Sequence, residues 1–236
     1  SSARPIPIPR NSGPALSVQG RDPMIVQTHS PEQVVREAFR DLPAMWNKMK
    51  DPIARLQRRM RVDKSLRMEP QLFSYRSPAG NNWLIAMLPT KKVLNIVPFV
   101  WYRGTDTFYR AARIMQDGVS YHISHHVFEQ YAERFNSTED GFFRLKEFIR
   151  ENMIFGTEYC RDSNAVRVGI THGYIIGTWV VPQQVAQLIT FVDHGKLFKD
   201  QQEQMDRLDQ QRADSLRHTR KPGGHVKPWD LPRPGV

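Results

Sequence analysis

The sequence predicts an α+β protein with N-terminal helices, an antiparallel curved sheet with a packed helix pair, a charged C-terminal helix and flexible termini. Three observations support this fold class. Apolar residues recur at three- and four-residue steps between positions 31 and 62, which is the period of a helix. From position 71 short runs rich in aromatic and β-branched residues replace that period. The helical period then returns over 125–152, ahead of further strand-length runs.

The N-terminal helical segment is expected over residues 31–69. Ser30 is a suitable N-cap and Pro31 suits the first helical position. Pro43 is expected to kink or divide the helix, and a second cap-and-proline pair is expected to start another helix at Pro52. One face of the first helix is apolar and predicted to be buried: Val35, Phe39, Leu42, Trp46 and Met49.

Residues 70–123 are expected to be mainly strands. The runs "QLFSYRS" and "NNWLIAML" flank "SPAGNN" and predict a hairpin. Pro98, inside "NIVPFVWYR", predicts a sheet edge or a bulge because proline cannot donate to a ladder. The Ala-Ala pair within "TFYRAARIMQ" favours a short helix there.

Residues 124–196 are predicted to form a helix pair and an antiparallel sheet. The helices are expected near 125–135 and 139–152, with Ser137 followed by Asp140 as capping chemistry for the second. Four strand-length runs follow, and Asn164 suits a tight turn between two of them. The first helix is expected to bury one face: Val127, Phe128, Tyr131 and Phe135.

The domain organisation follows from these segments. Residues 1–23 are expected to be a flexible Pro-rich arm, and 24–198 a single α+β domain. Residues 199–218 predict a charged helix nearly without apolar residues, which we expect to project or to pack on a partner. Residues 219–236 are expected to be a disordered tail, and a protein partner is expected to bind through the termini.

The charge distribution points to a nucleic acid partner. The net charge is +10, and eight Lys/Arg against two Asp between Lys48 and Arg67 give +6 in that stretch alone. Such a helix either lies along phosphates or is only solvated, and the sequence leaves both readings open. The cationic residues expected to bind nucleic acid, RNA more than DNA, are Arg55, Arg58, Arg59, Arg61 and Lys64.

The cysteine count indicates the compartment. Cys160 is the single cysteine, so no intramolecular disulfide and no metal-binding cysteine pair can form. A cytoplasmic location is therefore expected. No apolar run approaches the roughly 20 residues that span a bilayer, so no membrane partner is expected, and no cofactor is predicted.

The motif "HISHHVFEQYAERF" carries the candidate chemistry. On a helix, His125, Glu129 and Glu133 share one stripe, and His126 lies in a second stripe with Arg134. Three readings stay open: an exposed ion pair, a divalent metal site built on His125 and Glu129, or acid–base chemistry on a phosphodiester. The candidate catalytic residues for the third reading are His125, His126, Glu129 and Arg134, with His172 from the sheet.

The motif also carries a resemblance. The order of two helices and about four antiparallel strands, with Ser124, His126 and Arg134 at the start, resembles the metal-independent ribonucleases and toxins of the RelE/ParE-like and barnase/colicin-type superfamily, as carried by phages and mobile elements. The resemblance covers residues 120–196 and implies a helix pair packed on one curved sheet whose open face cleaves or binds RNA. Val127 follows His126 here, where those proteins often carry a small residue.

Two functions follow as hypotheses. The first is a nucleic-acid-binding protein that acts as a metal-independent, toxin-like endoribonuclease through histidine, glutamate and arginine chemistry. The alternative is a non-catalytic RNA- or DNA-binding module or assembly component that uses the same basic helix.

Overall fold

The protein has an α+β fold in which helices pack on a large, mostly antiparallel sheet. The computed structural model describes residues 25–66, 68–90, 93–115, 120–135, 140–160, 163–180, 185–196 and 199–218. The predicted arm over 1–23 and the tail over 219–236 lie outside these residues. The helices are α1 Pro31–Val62, α2 His125–Arg134, α3 Gly141–Glu151 and α4 Lys199–His218.

One nine-stranded sheet unites the strands before and after the helix pair. The strand order is β1-β2-β3-β4-β5-β9-β8-β7-β6, and every pairing is antiparallel except β5–β9, which is parallel. The strands are β1 Gln71–Arg76, β2 Asn82–Pro89, β3 Leu94–Arg103, β4 Tyr109–Arg113, β5 Ser120–Ile123, β6 Gly156–Cys160, β7 Ala165–Ile170, β8 Gly173–Val180 and β9 Val185–Asp193.

Both faces of the sheet are covered, which explains why β2 is apolar along its whole length. Trp83 and Ile85 belong to the core beneath α1, whereas Leu84 and Ala86 belong to the core beneath α2 and α3. Alternate strand residues point to opposite faces, so a strand between two helical layers needs apolar residues at every position.

The structure corrects the expected division of the first helix. α1 runs without a break from Pro31 to Val62 and contains both Pro43 and Pro52. Each proline removes one helical hydrogen bond, but the buried face continues past them through Met45, Trp46, Met49 and Leu56. Burial of that continuous face outweighs the local cost. The capping box at Ser30, in which Gln33 is the reciprocal partner, is present.

Two strand predictions are also corrected. The segment read as a short helix contains β4, because Ala111 and Ala112 are small residues that enter the two opposite cores between β3 and β5. Pro98 lies in β3, which is an internal strand. Its carbonyl accepts from Ile114 N–H, just beyond the last β3–β4 pair, so its missing N–H falls where that ladder has ended.

Helix α4 packs on the protein's own sheet, contrary to the expectation that it projects or awaits a partner. Met205 and Leu208 are buried against Tyr174 of β8. Gly169 permits this approach, because a Cβ there would lie 2.7 Å from the Cβ of Leu208. Arg212 anchors the helix by donating to the carbonyl of Ile170 at 2.9 Å. Leu216 packs on the main core as well, so a few apolar residues and Arg212 together dock a charged helix.

The helix pair lies close to its predicted bounds, and the predicted capping residue Ser137 lies outside the described residues. α2 ends one residue before the expected bound, and Asp140 is the N-cap of α3, accepting from Phe143 N–H at 2.8 Å. Phe135 is the exception, because it lies at the C-cap and is 47% exposed instead of joining the core. Within the residues that the structure describes, no helix has the length and apolar character needed to cross a membrane.

Candidate functional site

A cavity of about 380 Å³ lies on the α1 face of the sheet, where the N-termini of α1 and α2 approach each other. It sits at the end of β5, beside the parallel β5–β9 pair. Most of the residues that line it are titratable or polar; the lining residues are Gln27, His29, Pro31, Tyr102, Gly104, Thr105, Arg110, His122, Ser124, His125, His126, Gln187 and Ile189. A concave site with convergent polar groups is where ligand chemistry is most often found.

The N-terminus of α2 is open toward this cavity. Ser124 occupies the N-cap position but makes no side-chain cap bond; its hydroxyl donates instead to the carbonyl of Ile189 at 3.1 Å. The N-terminus of α1, by contrast, is closed by the capping box. The first-turn N–H groups of α2 therefore remain available, and together with the helix dipole they favour an anion such as phosphate.

Arg110 adds a fixed positive charge at the same place. Its Nη1 donates to Asp106 Oδ1 at 2.8 Å, and Nη2 donates to the second carboxylate oxygen. These bonds hold the pKa of Asp106 well below its usual range. Gly104 makes room for this pair, since a Cβ there would lie 1.8 Å from Arg110 Nη1. The guanidinium is thus oriented by its partner before any ligand arrives.

His125 is held in one orientation and in one tautomer. Its ring stacks on Phe108 with centroids 4.8 Å apart, and the ring of His126 lies 3.9 Å away. Arg110 Nη2 donates to Nδ1 at 3.4 Å; because arginine has no acceptor, the neutral imidazole carries its proton on Nε2. Burial first, and then the charges of His126 and Arg110, lower the pKa of His125 and favour this neutral form.

His126 contacts a carboxylate of its own helix. Its Nδ1 lies 3.5 Å from Glu129 Oε2, one helical turn along α2. Because a carboxylate only accepts, Glu129 favours the neutral tautomer of His126 that has its proton on Nδ1 and presents the bare Nε2. The side chain is 61% exposed, which leaves Nε2 accessible to a substrate. The two neighbouring histidines therefore offer a donor and an acceptor side by side.

His122 and Tyr102 form a buried pair in the sheet below. Tyr102 Oη lies 2.9 Å from His122 Nε2. Burial lowers the pKa of His122 to about 4, so the ring is neutral at physiological pH. Burial likewise raises the pKa of Tyr102 to about 12. Gln187 lies beside His122 as its register partner across the parallel β5–β9 pair. This part of the cavity is polar and uncharged.

A divalent cation is the other ligand that these side chains could hold. The candidate ligand atoms of His125, His126 and Glu129 all lie within 4.8 Å of one another. Imidazole and carboxylate suit zinc. The guanidinium of Arg110, in contact with His125 Nδ1, opposes a metal cation there. The arrangement therefore suits an anion better than a cation.

The structure separates the predicted catalytic residues into two places. His125 and His126 line the cavity, and Glu129 contacts His126. Arg134 is about 12 Å further along α2, by the helical rise from His126, and pairs with Asp193 at 2.5 Å. His172 lies in the β7–β8 turn, edge-on to Phe135 with ring centroids 4.9 Å apart. Neither of these two lines the cavity, so the structure does not bring Arg134 and His172 together with the two histidines.

The basic residues expected to bind nucleic acid lie at the far end of α1. Arg55 is 24 positions beyond Pro31, which places it about 36 Å from the cavity along the helix. Ion pairs to carboxylates of the described chain involve other arginines. All five predicted residues are exposed: Arg55, Arg58, Arg59, Arg61 and Lys64. They form a patch, called here the distal basic patch.

Sequence reasoning missed the residues that β3 and β4 contribute. Arg110 and Tyr102 are register partners on neighbouring strands, so they face the cavity together. A helix was expected over "TFYRAARIMQ". A residue on a helix has no cross-strand partner, so that prediction gave no reason to place Arg110 beside Tyr102. The turn "RGTDTF", which places Asp106 four residues before Arg110, was the available signal. Comparison with protein-family models, curated proteins and solved structures finds no match to this chain.

Proposed function

We propose that this protein binds RNA in the cytoplasm and cleaves it without a metal ion, in the cavity between α1 and α2. One arrangement carries the proposal: His125 accepts from Arg110 and His126 contacts Glu129, beside an uncapped helix N-terminus and an oriented arginine. A donor, an acceptor and fixed positive charge within one cavity are the groups that phosphodiester cleavage requires.

The proposed reaction begins at the ribose 2′-hydroxyl. His126 Nε2 takes its proton while the 2′-oxygen forms a bond to phosphorus, and Glu129 stabilises the resulting imidazolium through Nδ1. The bond from phosphorus to the 5′-oxygen breaks, and that oxygen takes a proton from water at the open side of the cavity. His126 returns its proton to solvent. The products are a 2′,3′-cyclic phosphate and a 5′-hydroxyl.

The remaining groups stabilise charge on the phosphoryl oxygens. His125 donates through Nε2–H as a neutral ring, which its lowered pKa favours. The first turn of α2 and the Arg110 guanidinium line the same cavity, and Arg110 contacts His125, the first residue of α2. Asp106 and Phe108 hold Arg110 and His125 in place, so little reorganisation is needed when the charge develops.

Incubation of labelled RNA with wild-type protein and His126→Ala, each with and without EDTA, tests this function. We expect cleavage that EDTA does not affect and that falls by roughly 10²- to 10⁴-fold in His126→Ala. Cleavage abolished by EDTA would instead support a metal-dependent hydrolase on His125, His126 and Glu129, whose ligand atoms converge. Binding without cleavage would support the non-catalytic module, for which the distal basic patch is the supporting observation.

A further inference from the structure

The floor of the cavity differs chemically from its rim. At the rim, the N-terminus of α2 provides the positive end of a helix dipole, and the Arg110 guanidinium, paired with Asp106, and the neutral His125 ring provide hydrogen-bond donors. The floor consists of Tyr102, His122 and Gln187, which carry no charge at neutral pH. A ligand that satisfies both parts has an anionic group attached to a neutral group with hydroxyls.

His122 determines which way the Tyr102 hydroxyl donates. Its Nδ1 is buried and has no hydrogen-bond partner among the described residues, whereas Nε2 faces Tyr102 Oη at 2.9 Å. A buried N–H without a partner is rarer and costlier than a buried lone pair without one. The proton therefore sits on Nε2 and donates to the Tyr102 oxygen. The hydroxyl hydrogen of Tyr102 is then free to donate into the cavity.

Gln187 supplies a second neutral group at the same level. It is half-buried, lines the cavity and faces it from β9 beside His122. No atom of the described chain forms a hydrogen bond with its amide. An amide both donates and accepts, and so does a ribose hydroxyl.

We propose that Tyr102 and Gln187 recognise the ribose hydroxyls of the nucleoside whose 5′-oxygen carries the phosphate bound at the rim, and that His122 positions the Tyr102 hydroxyl. The proposal rests on the proposed function, of which it specifies the substrate: a ribonucleotide with its sugar on the floor. A 2′-deoxy sugar leaves the buried polar groups of the floor without partners, and that penalty discriminates against DNA.

Binding of mononucleotides tests this without any cleavage step. Adenosine 5′-monophosphate, its 2′-deoxy analogue and inorganic phosphate are titrated by calorimetry into wild-type protein, Tyr102→Phe and Gln187→Ala. We expect wild type to bind the ribonucleotide about tenfold more tightly than the deoxynucleotide, the effect of one or two hydrogen bonds. Each variant reduces that ratio toward one and leaves phosphate binding unchanged. Gln187→Ala breaks no hydrogen bond within the described chain, so its fold is preserved.

Matched variants separate recognition from a loss of structure. Tyr109→Phe removes a tyrosine hydroxyl beside Trp101 and Phe142, on the opposite face of the sheet. We expect this variant to keep the wild-type ratio of ribonucleotide to deoxynucleotide affinity. His122→Phe cannot bond to the Tyr102 hydroxyl, so we expect it to lose the preference for the ribonucleotide. His122→Gln offers an N–H donor in place of Nε2, so we expect it to retain that preference.

Three results would overturn the inference: equal affinity of wild type for the two nucleotides, no binding of the ribonucleotide at millimolar concentration, or an unchanged ratio in both Tyr102→Phe and Gln187→Ala. A ratio that depends on Tyr102, in a protein that cuts no RNA, would sustain the inference and refute catalysis. Cleavage of RNA by wild type, with an unchanged ratio in both variants, would refute the inference and leave the proposed catalysis standing.

Discussion

Replacing Gly104 by Ala should displace Arg110 without unfolding the protein. The added Cβ would lie 1.8 Å from Arg110 Nη1 and 2.6 Å from Asp106 Oδ1, well inside contact distance. The nearest atom is the end of a flexible side chain, so the guanidinium moves instead of the backbone. Its bonds to Asp106 and His125 are then lost together.

The expected effects on stability and on activity differ in size. The Asp106–Arg110 pair is partly exposed, with side chains 37% and 20% accessible, so its loss costs at most about 1 kcal/mol of unfolding free energy. Loss of one oriented donor for transition-state charge reduces turnover by roughly 10²- to 10³-fold. The Arg110 charge also lowers the pKa of His125, so that pKa should rise in the variant.

The assay combines RNA cleavage rates, chemical denaturation and NMR titration of the His125 ring. Gly195→Ala is the matched control, because the nearest atom to its added Cβ is 3.7 Å away and it lies outside the cavity. An unchanged cleavage rate together with an unchanged pKa of His125 would refute the assigned role of Arg110. A large loss of stability would show that Gly104 shapes the fold instead of the site.

The remaining predictions concern the core, the distal basic patch and the buried histidine. Phe128→Ala should cost roughly 3–5 kcal/mol of unfolding free energy in chemical denaturation, since the ring is 4% exposed and packs edge-on to Phe148; a loss below 1 kcal/mol would contradict that burial. Replacing the four arginines of the distal basic patch by glutamine should reduce the slope of log affinity for long single-stranded RNA against log salt concentration by about three. Cleavage of a dinucleotide should be unchanged, because the patch is remote from the cavity. An unaltered slope would mean that the patch is only solvated. His122 has a pKa of about 4 in the folded protein and an ordinary value of 6.5, so between these values the unfolded protein binds one more proton than the folded protein. The free energy of unfolding therefore holds its full value above pH 6.5 and falls by about 3 kcal/mol as the pH drops toward 4. Denaturation at pH 7 and 4.5 should show that loss in wild type and not in His122→Gln, and equal losses in both would contradict it.

Local patterns predicted the elements whose signals lie within a few residues. The N-cap at Ser30 and the tight turn at Asn164, where φ is 50°, are present as predicted, and Asp140 takes part in capping α3. Each depends on the chemistry of one or two neighbouring residues. The α+β class and the order of the helix pair and the last four strands are confirmed for the same reason.

The errors arose where distant contacts decide the outcome. The helix continues through Pro43 because its apolar face is buried both before and after the proline. Local helix propensity does not include this tertiary stabilisation. The sequence also gives no sign that β5 pairs in parallel with β9, since about 60 residues separate them. That pairing brings Gln187 beside His122 and completes the floor of the cavity. Both the site and its floor therefore depend on the long-range topology.

The structures of the RNA ends after cleavage test the central claim most directly. An RNA strand and the same strand with 2′-O-methyl groups at every position are incubated with the protein in EDTA, and the products are analysed by mass spectrometry. Attack by the 2′-oxygen predicts 2′,3′-cyclic phosphate and 5′-hydroxyl ends from the RNA and no cleavage of the methylated strand. Cleavage of the methylated strand, products with 5′-phosphate ends, or no cleavage of the unmodified RNA would contradict the claim that His126 activates a ribose hydroxyl.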